Sequence, residues 1–172
     1  MYLWQKKICL MDPNAYKKGL RNKLSKEQAL KKLESENFFR KTLSFYRYVI
    51  LENPEKFRDD LFKDWGDLDC LGRIYVAREG INAQMNVPEH HWEQFISTLN
   101  KYDEFKHIPL KIAVEDDGKS FYKLTIKVRE QIVADGLPID EYDVTDVGQH
   151  LDAQQWNDAI EKGAIVVDMR NH

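Results

Sequence analysis

Residues 42–129 interleave two hydrophobic periods. Residues 42–51 are rich in β-formers, with Leu43 and Phe45 on one face and Ser44, Tyr46 and Tyr48 on the other. Arg47 shares the apolar parity, so either that face turns polar at its end or the strand carries a bulge. Asn53-Pro54 is a helix start, with Asn as N-cap and Pro at the first helical position. Phe57, Leu61, Trp65 and Leu68 then recur at helical spacing and predict a helix ending between Gly66 and Gly72. Residues 72–78 and 81–87 alternate as two strands that reverse at Glu79-Gly80, where glycine tolerates φ > 0.

Pro88 is expected to open a second helix, with Trp92, Phe95, Ile96 and Leu99 as its core stripe. His90 and His91 in its first turn point about 100° apart, which makes them exposed surface rather than a metal pair. A fourth strand is predicted over 110–115 and a fifth over 121–128. The turn 116–119 between them, Asp-Asp-Gly-Lys, would make them antiparallel neighbours. Residues 129–135 either extend the fifth strand or bend away. The order β-α-β-β-α-β plus one strand is an α+β, ferredoxin-like arrangement. Its two helices would cover one sheet face and leave the other to be covered or used.

The flanks are less regular. Asp12-Pro13-Asn14 reads as a turn, and Lys17, Lys18, Arg21 and Lys23 form a basic cluster without apolar period. A partly disordered or loosely docked arm is expected over residues 1–25. Ser25 would cap a helix from Lys26 to about Glu36, with Ala29, Leu30 and Leu33 as its apolar face. Residues 138–147 are acidic and turn-rich, like a linker. Asp152 to Gln155 resembles a capping box ahead of Trp156, Ala159 and Ile160, and Gly163 ends that helix. The run 164–168 suits a buried parallel strand. A buried strand with no partners after it is the beginning of a domain, so the sequence is expected to be truncated. The expected divisions are a basic helical arm over 1–41, the α/β domain over 42–137, a linker over 138–150, and an opened further domain over 151–172.

Length, composition and charge add bounds. The 172 residues suit one domain or slightly more. No apolar run approaches the roughly 20 residues of a membrane helix, and Ile8-Cys-Leu-Met11 is too short for a signal-peptide core, so a cytoplasmic location is expected. Cys9 and Cys70 are far apart and form no CxxC pair, which disfavours a disulfide framework or zinc thiolate site. Cys70 reads as a small, partly buried apolar residue. The net charge of −3 hides an asymmetry: residues 1–50 carry 12 Lys and Arg against 4 Asp and Glu, and residues 51–172 carry 14 against 25. A basic arm can contact phosphate or remain a solvated tail.

The last segment resembles the opening of a rhodanese domain, through Trp156 and Asp168-Met-Arg170. Upstream, Thr42-Leu-Ser-Phe-Tyr-Arg-Tyr48, Gly72-Arg-Ile-Tyr-Val-Ala-Arg-Glu-Gly-Ile-Asn-Ala-Gln84, Glu115-Asp-Asp-Gly-Lys-Ser-Phe121, Lys127-Val-Arg129 and Ile132-Val-Ala-Asp-Gly136 resemble the rhodanese-containing tRNA uridine hydroxylase family. The resemblance covers roughly residues 40–172. It implies an oxidoreductase that uses molecular oxygen to make 5-hydroxyuridine at the tRNA wobble position. The family's catalytic Cys lies in a rhodanese loop beyond Asp168-Met-Arg170, and neither Cys9 nor Cys70 matches it. The resemblance therefore implies no catalytic residue here, an inactive fragment, and two partners: tRNA and its own missing C-terminal rhodanese domain. The cofactor and the oligomeric state are unknown, and no His/carboxylate triad or flavin fingerprint is visible.

RNA binding needs cations for phosphate and flat groups for unstacked bases. Arg73, Arg78, Lys119, Lys127 and Arg129 supply the former; Tyr46, Tyr48 and Tyr75 supply the latter. Asn82 offers a donor and an acceptor for a base edge. The bland alternative pairs Arg78 with Glu79 at the turn, spends Asn82 on backbone groups and packs the tyrosines. A different class of function is a clamp that packs on the rhodanese domain without touching RNA. An acylphosphatase-like enzyme is disfavoured, because Ser44-Phe-Tyr-Arg-Tyr48 lacks the glycines of a phosphate loop.

Overall fold

The computed structural model describes residue 17, residues 19–133, residues 143 and 146, and residues 148–168. The turn at 12–14, most of the 138–147 linker, and Met169 to His172 lie outside the described residues. Helix α1 (Lys26–Glu34) precedes strand β1 (Arg40–Tyr48) and helix α2 (Pro54–Gly66). The hairpin of β2 (Leu71–Ala77) and β3 (Gly80–Pro88) follows, then a 3-10 turn and helix α3 (Trp92–Asn100). Two short strands, β4 (Lys111–Ile112) and β5 (Leu124–Val128), and helix α4 (Ala153–Glu161) complete the order.

The sheet order is β4-β1-β3-β2-β5. Its first four strands form the ferredoxin-like split βαβ, with β3 antiparallel to both β1 and β2 and β4 antiparallel to β1. β5 is the additional strand and runs parallel to β2. The expected β4–β5 pairing is therefore wrong, because these strands occupy opposite edges. The turn at 116–119 opens into a connection across the end of the sheet. There the Asn86 amide donates to the Gly118 carbonyl at 2.8 Å, and the Thr42 hydroxyl donates to Asp116 at 2.5 Å. Gly118 has φ +71, and a Cβ on it would lie 2.7 Å from the Arg40 carbonyl oxygen. The connection thus needs glycine on both counts. At the other end of the sheet, a Cβ on Gly80 would lie 2.0 Å from the Arg47 carbonyl oxygen.

Both helices pack on one face. Leu61 and Trp65 of α2 and Phe95 and Leu99 of α3 are buried against Leu43, Phe45, Ile74, Val76, Ile81, Ala83, Met85 and Ile126. Trp65 lies edge-on to Phe45, with ring centroids 6.2 Å apart, and 5.9 Å from Phe95. The Asn53 side chain accepts from the Lys56 N–H at 2.9 Å, as its capping role requires. Pro88 ends β3 opposite Arg40, a terminal position that suits a residue without an N–H, and is the N-cap of the 3-10 turn Glu89–His91 that leads into α3. Arg47 causes no bulge. Its register opposite Ile81 is unbroken, and its guanidinium donates to the carbonyls of Glu104 at 3.1 Å and Lys106 at 2.8 Å.

The described part of the arm is docked rather than loose. Leu20 is buried in the core, Lys17 pairs with Asp59, and the Asn22 amide donates to the Leu124 carbonyl at 2.9 Å. Ser25 and Gln28 form a full capping box on α1, which buries Ala29 and Leu33 and leaves Leu30 exposed. Arg40 and Glu36 form a buried two-pronged ion pair at 2.7 and 2.8 Å. The capped helix α4 forms as expected, but residues 164–168 form no strand: Ile165 is 91% and Val167 71% exposed. A strand needs a partner for its backbone N–H and C=O groups, and the described residues provide none there.

Candidate nucleic-acid interface

Strand register decides which side chains share the face opposite the helices. Tyr46, Asn82, Tyr75 and Lys127 stand opposite one another across four strands. The next row contains Lys111, Ser44, Gln84, Arg73 and Thr125. With neighbouring strands about 4.8 Å apart, each row is a continuous line of polar and aromatic groups. The Lys111 ammonium lies 5.8 Å from the centroid of the Tyr46 ring, and the Arg129 guanidinium 5.5 Å from that of Tyr75. Both are cation–π distances that leave the cations facing outward. Among the described residues, none of Arg73, Arg78, Lys111, Lys119, Lys123, Lys127 or Arg129 has a carboxylate within 4.0 Å.

The six residues expected at the site separate by position. Arg73, Asn82 and Lys127 share the open face, and Arg129 reaches it over Tyr75. Arg78 lies in the hairpin turn and lines a shallow depression with Arg129 beyond the end of β5. Lys119 lies at the opposite end, exposed in the crossing connection, where its N–H donates to Asp117 at 2.9 Å.

Glu79 and Asn82 have structural work as well. The buried Glu79 carboxylate accepts from the Ile132 N–H at 2.6 Å, and the Asn82 amide donates to the Ile132 carbonyl at 3.2 Å. Together they satisfy both backbone groups of Ile132 and turn residues 129–133 back over one end of the open face. One Asn82 amide hydrogen is thereby occupied, and the second N–H and the carbonyl oxygen remain for a further contact.

A cavity of about 320 Å³ opens between β2, β5 and the segment leading into β5. It is lined by Arg73, Tyr75, Phe121, Tyr122, Lys123 and Lys127, with the Ser120 and Thr125 hydroxyls nearby. Lys123 was not among the expected residues, although it shares strand parity with Thr125 and Lys127 and so falls on their face. Phe121 and Tyr122 were missed because they read as the start of a strand. Gln84 and Lys111 follow only from the register.

Acid–base chemistry is sparse. Cys70 is buried, and that burial pushes its thiol up to about 12, which excludes a resting thiolate. The Thr42 hydroxyl, with the Gly118 N–H and Ser120 hydroxyl, holds Asp116 below the usual carboxylate range and anchors the crossing connection. His91 bonds to Gln94 and His90 packs on Phe38. Among the described residues no His, Cys, Asp and Glu group is arranged to hold a metal. No described helix is long and apolar enough to cross a membrane. Arg47, the only arginine of Ser44-Phe-Tyr-Arg-Tyr48, is committed to two carbonyls rather than to an anion.

A family model described as the UPF0176 acylphosphatase like domain matches residues 40–132. Among curated proteins, a tRNA uridine(34) hydroxylase of Leptospira interrogans is 54% identical over 157 residues, which is 91% of this chain and 43% of that protein. Those of Hamiltonella defensa and Escherichia fergusonii are each 43% identical over 155 residues, 89% of this chain and 44% of theirs. The chain thus spans less than half the length of the curated relatives it matches. The family match takes in all five strands of the sheet and the two helices packed on it, and by that match the chain belongs to the UPF0176 acylphosphatase-like domain family.

Proposed function

We propose that this chain is the tRNA-holding N-terminal part of a tRNA uridine(34) hydroxylase, an oxygen-dependent oxidoreductase that forms 5-hydroxyuridine at the wobble position. One observation carries the reading: on the sheet face opposite the helices, Tyr46 and Tyr75 alternate with Arg73, Lys111, Lys127 and Arg129, and among the described residues none of these cations is in an ion pair. Open-face rings on a four-stranded sheet stack the bases of single-stranded RNA in a common recognition module, and unpaired cations hold its phosphates.

In this reading residues 1–41 are a basic arm, 42–137 the RNA-holding domain, 138–150 a linker, and 151–172 the opening of a rhodanese domain. The chemistry belongs to that domain, so the 172-residue chain alone is inactive. Its setting is the cytoplasm. The test is fluorescence anisotropy of a labelled tRNA bearing uridine 34, titrated with the chain between about 50 and 200 mM salt. Binding that weakens steeply with salt and is reduced by Lys127→Ala supports the reading; absence of binding at the low end overturns it. The clamp reading, in which the domain packs on the rhodanese domain without touching RNA, is the one that absence of binding would leave in place.

A further inference from the structure

We infer that the cavity between β2 and β5 is a pocket for a single unstacked pyrimidine nucleotide, its base against the Tyr75, Phe121 and Tyr122 rings and its 5′-phosphate on Arg73, Lys123 and Lys127. This inference rests on the RNA-holding reading and places one nucleotide of the bound strand.

The cavity differs in kind from the rest of the face. The row through Tyr46 and Tyr75 is a surface, on which bases stack without being enclosed. The cavity, by contrast, has a wall. The crossing connection is held over the sheet end by the Asn86–Gly118 and Thr42–Asp116 bonds, and it delivers Phe121 and Tyr122 beside the edge of β2. The N–H of Gly72 donates to the Lys123 carbonyl at 2.9 Å and fixes the point where wall and sheet join. Its volume, about 320 Å³, lies at the small end of the roughly 300–1,000 Å³ typical of small-molecule sites. That suits one small ring with its sugar better than a stacked pair.

The lining chemistry has two halves. Arg73 and Lys127 project from adjacent parallel strands as a diagonal pair, with Thr125 opposite Arg73 and Tyr75 opposite Lys127. Lys123 lies 5.7 Å from the Tyr122 ring centroid, at the cavity margin. Three cations and three rings around one hollow, with no carboxylate among the lining residues, match the two ends of a nucleotide: a dianionic or diester phosphate and a flat base. The Ser120 and Thr125 hydroxyls supply donors and acceptors for a base edge or a ribose hydroxyl.

The test uses the 172-residue chain in 15N-correlated NMR titrations with uridine 5′-monophosphate, uridine and inorganic phosphate, beside the tRNA anisotropy assay. The expected result is saturable shifts of amides in residues 72–75 and 120–127 with the monophosphate, and at least tenfold weaker binding of uridine or phosphate alone. Arg73→Gln should weaken the monophosphate about tenfold, and Phe121→Leu should weaken both monophosphate and tRNA, while Lys63→Gln on the helical side changes neither. Intact tRNA binding without monophosphate shifts, and unaffected by Phe121→Leu, overturns the pocket and leaves the RNA-holding face standing. Monophosphate binding without any tRNA binding supports the pocket as a site for a free nucleotide and overturns the tRNA reading instead. Absence of both overturns both.

Discussion

Removing the Glu36 carboxylate should cost the fold about 3 kcal/mol. Its partner Arg40 is the most deeply committed cation among the described ion pairs, with a side chain only 2% exposed. Arg40 donates twice to Glu36, at 2.7 and 2.8 Å, and once each to the Asp69 carbonyl at 2.7 Å and Asn86 Oδ1 at 3.3 Å. Truncating one member of a buried pair typically costs about 3–5 kcal/mol, because the remaining charge is left uncompensated. Glu36 is 9% exposed on its side chain, so water can enter at that edge, which places the expectation at the lower end of that range. Two bonds to neutral acceptors remain, each worth about 1.5–3 kcal/mol to a charged donor, so the guanidinium keeps part of its solvation. The assay is equilibrium urea unfolding of Glu36→Ala followed by tryptophan fluorescence. The double variant Glu36→Leu with Arg40→Met should recover most of the loss, since an apolar pair of similar volume leaves nothing charged behind. A loss below about 1 kcal/mol for Glu36→Ala, or simple additivity in the double variant, would refute this account of the pair.

Three further outcomes follow from the geometry. Gly118→Ala should destabilise by about 2–3 kcal/mol in the same assay, through left-handed backbone strain and the 2.7 Å approach to the Arg40 carbonyl oxygen. In a Cys9→Ser background, native Cys70 should resist a thiol reagent at pH 8 and react only on unfolding. Its folded value near 12 lies above the unfolded value of about 8.5, so its contribution is complete below about 8.5 and is lost as pH rises toward 12. Stability should therefore fall over that alkaline interval, and fall less in Cys70→Ala. At acid pH the sign reverses for Asp64: burial alone would raise its pKa, but the Tyr102 hydroxyl at 2.7 Å and the Lys101 ammonium at 2.9 Å outweigh it and hold it low. Its contribution is present above the unfolded value of about 3.9 and is lost as pH falls through the folded one, so Tyr102→Phe should move the midpoint of acid unfolding upward.

The legible parts of the fold were those written in local periods. The four- and three-residue spacing of Phe57, Leu61, Trp65 and Leu68 places α2, and the Asn53-Pro54 cap starts it at the observed residue. The alternation around Glu79-Gly80 places the hairpin within a residue at either end. What stayed hidden depends on partners distant in sequence. Adjacent strands with a turn between them suggest a hairpin, and nothing local to residues 110–128 reveals that β4 joins β1 while β5 joins β2. Arg47 looked misplaced because its acceptors, the Glu104 and Lys106 carbonyls, belong to a 3-10 turn more than fifty residues away. The site followed the same division: Arg73 and Lys127 were visible as cations of strand parity, but the wall made by Phe121 and Tyr122 exists only because the connection crosses the sheet end. The bland use of Asn82 was also correct in part, since one half of its amide serves the backbone of Ile132.

The parallel seam between β2 and β5 has a kinetic meaning. Among the described strands β5 joins the sheet through β2 alone, at its edge and far away in sequence, and such long-range pairing forms slowly and opens readily. Arg73 and Lys127 stand on opposite sides of that seam. A phosphate held between them would act as a staple, binding only the closed sheet and so raising the apparent stability of its edge strand by mass action. Recognition and completion of the fold would then be one event, and hydrogen exchange at residues 124–128 would slow in proportion to occupancy.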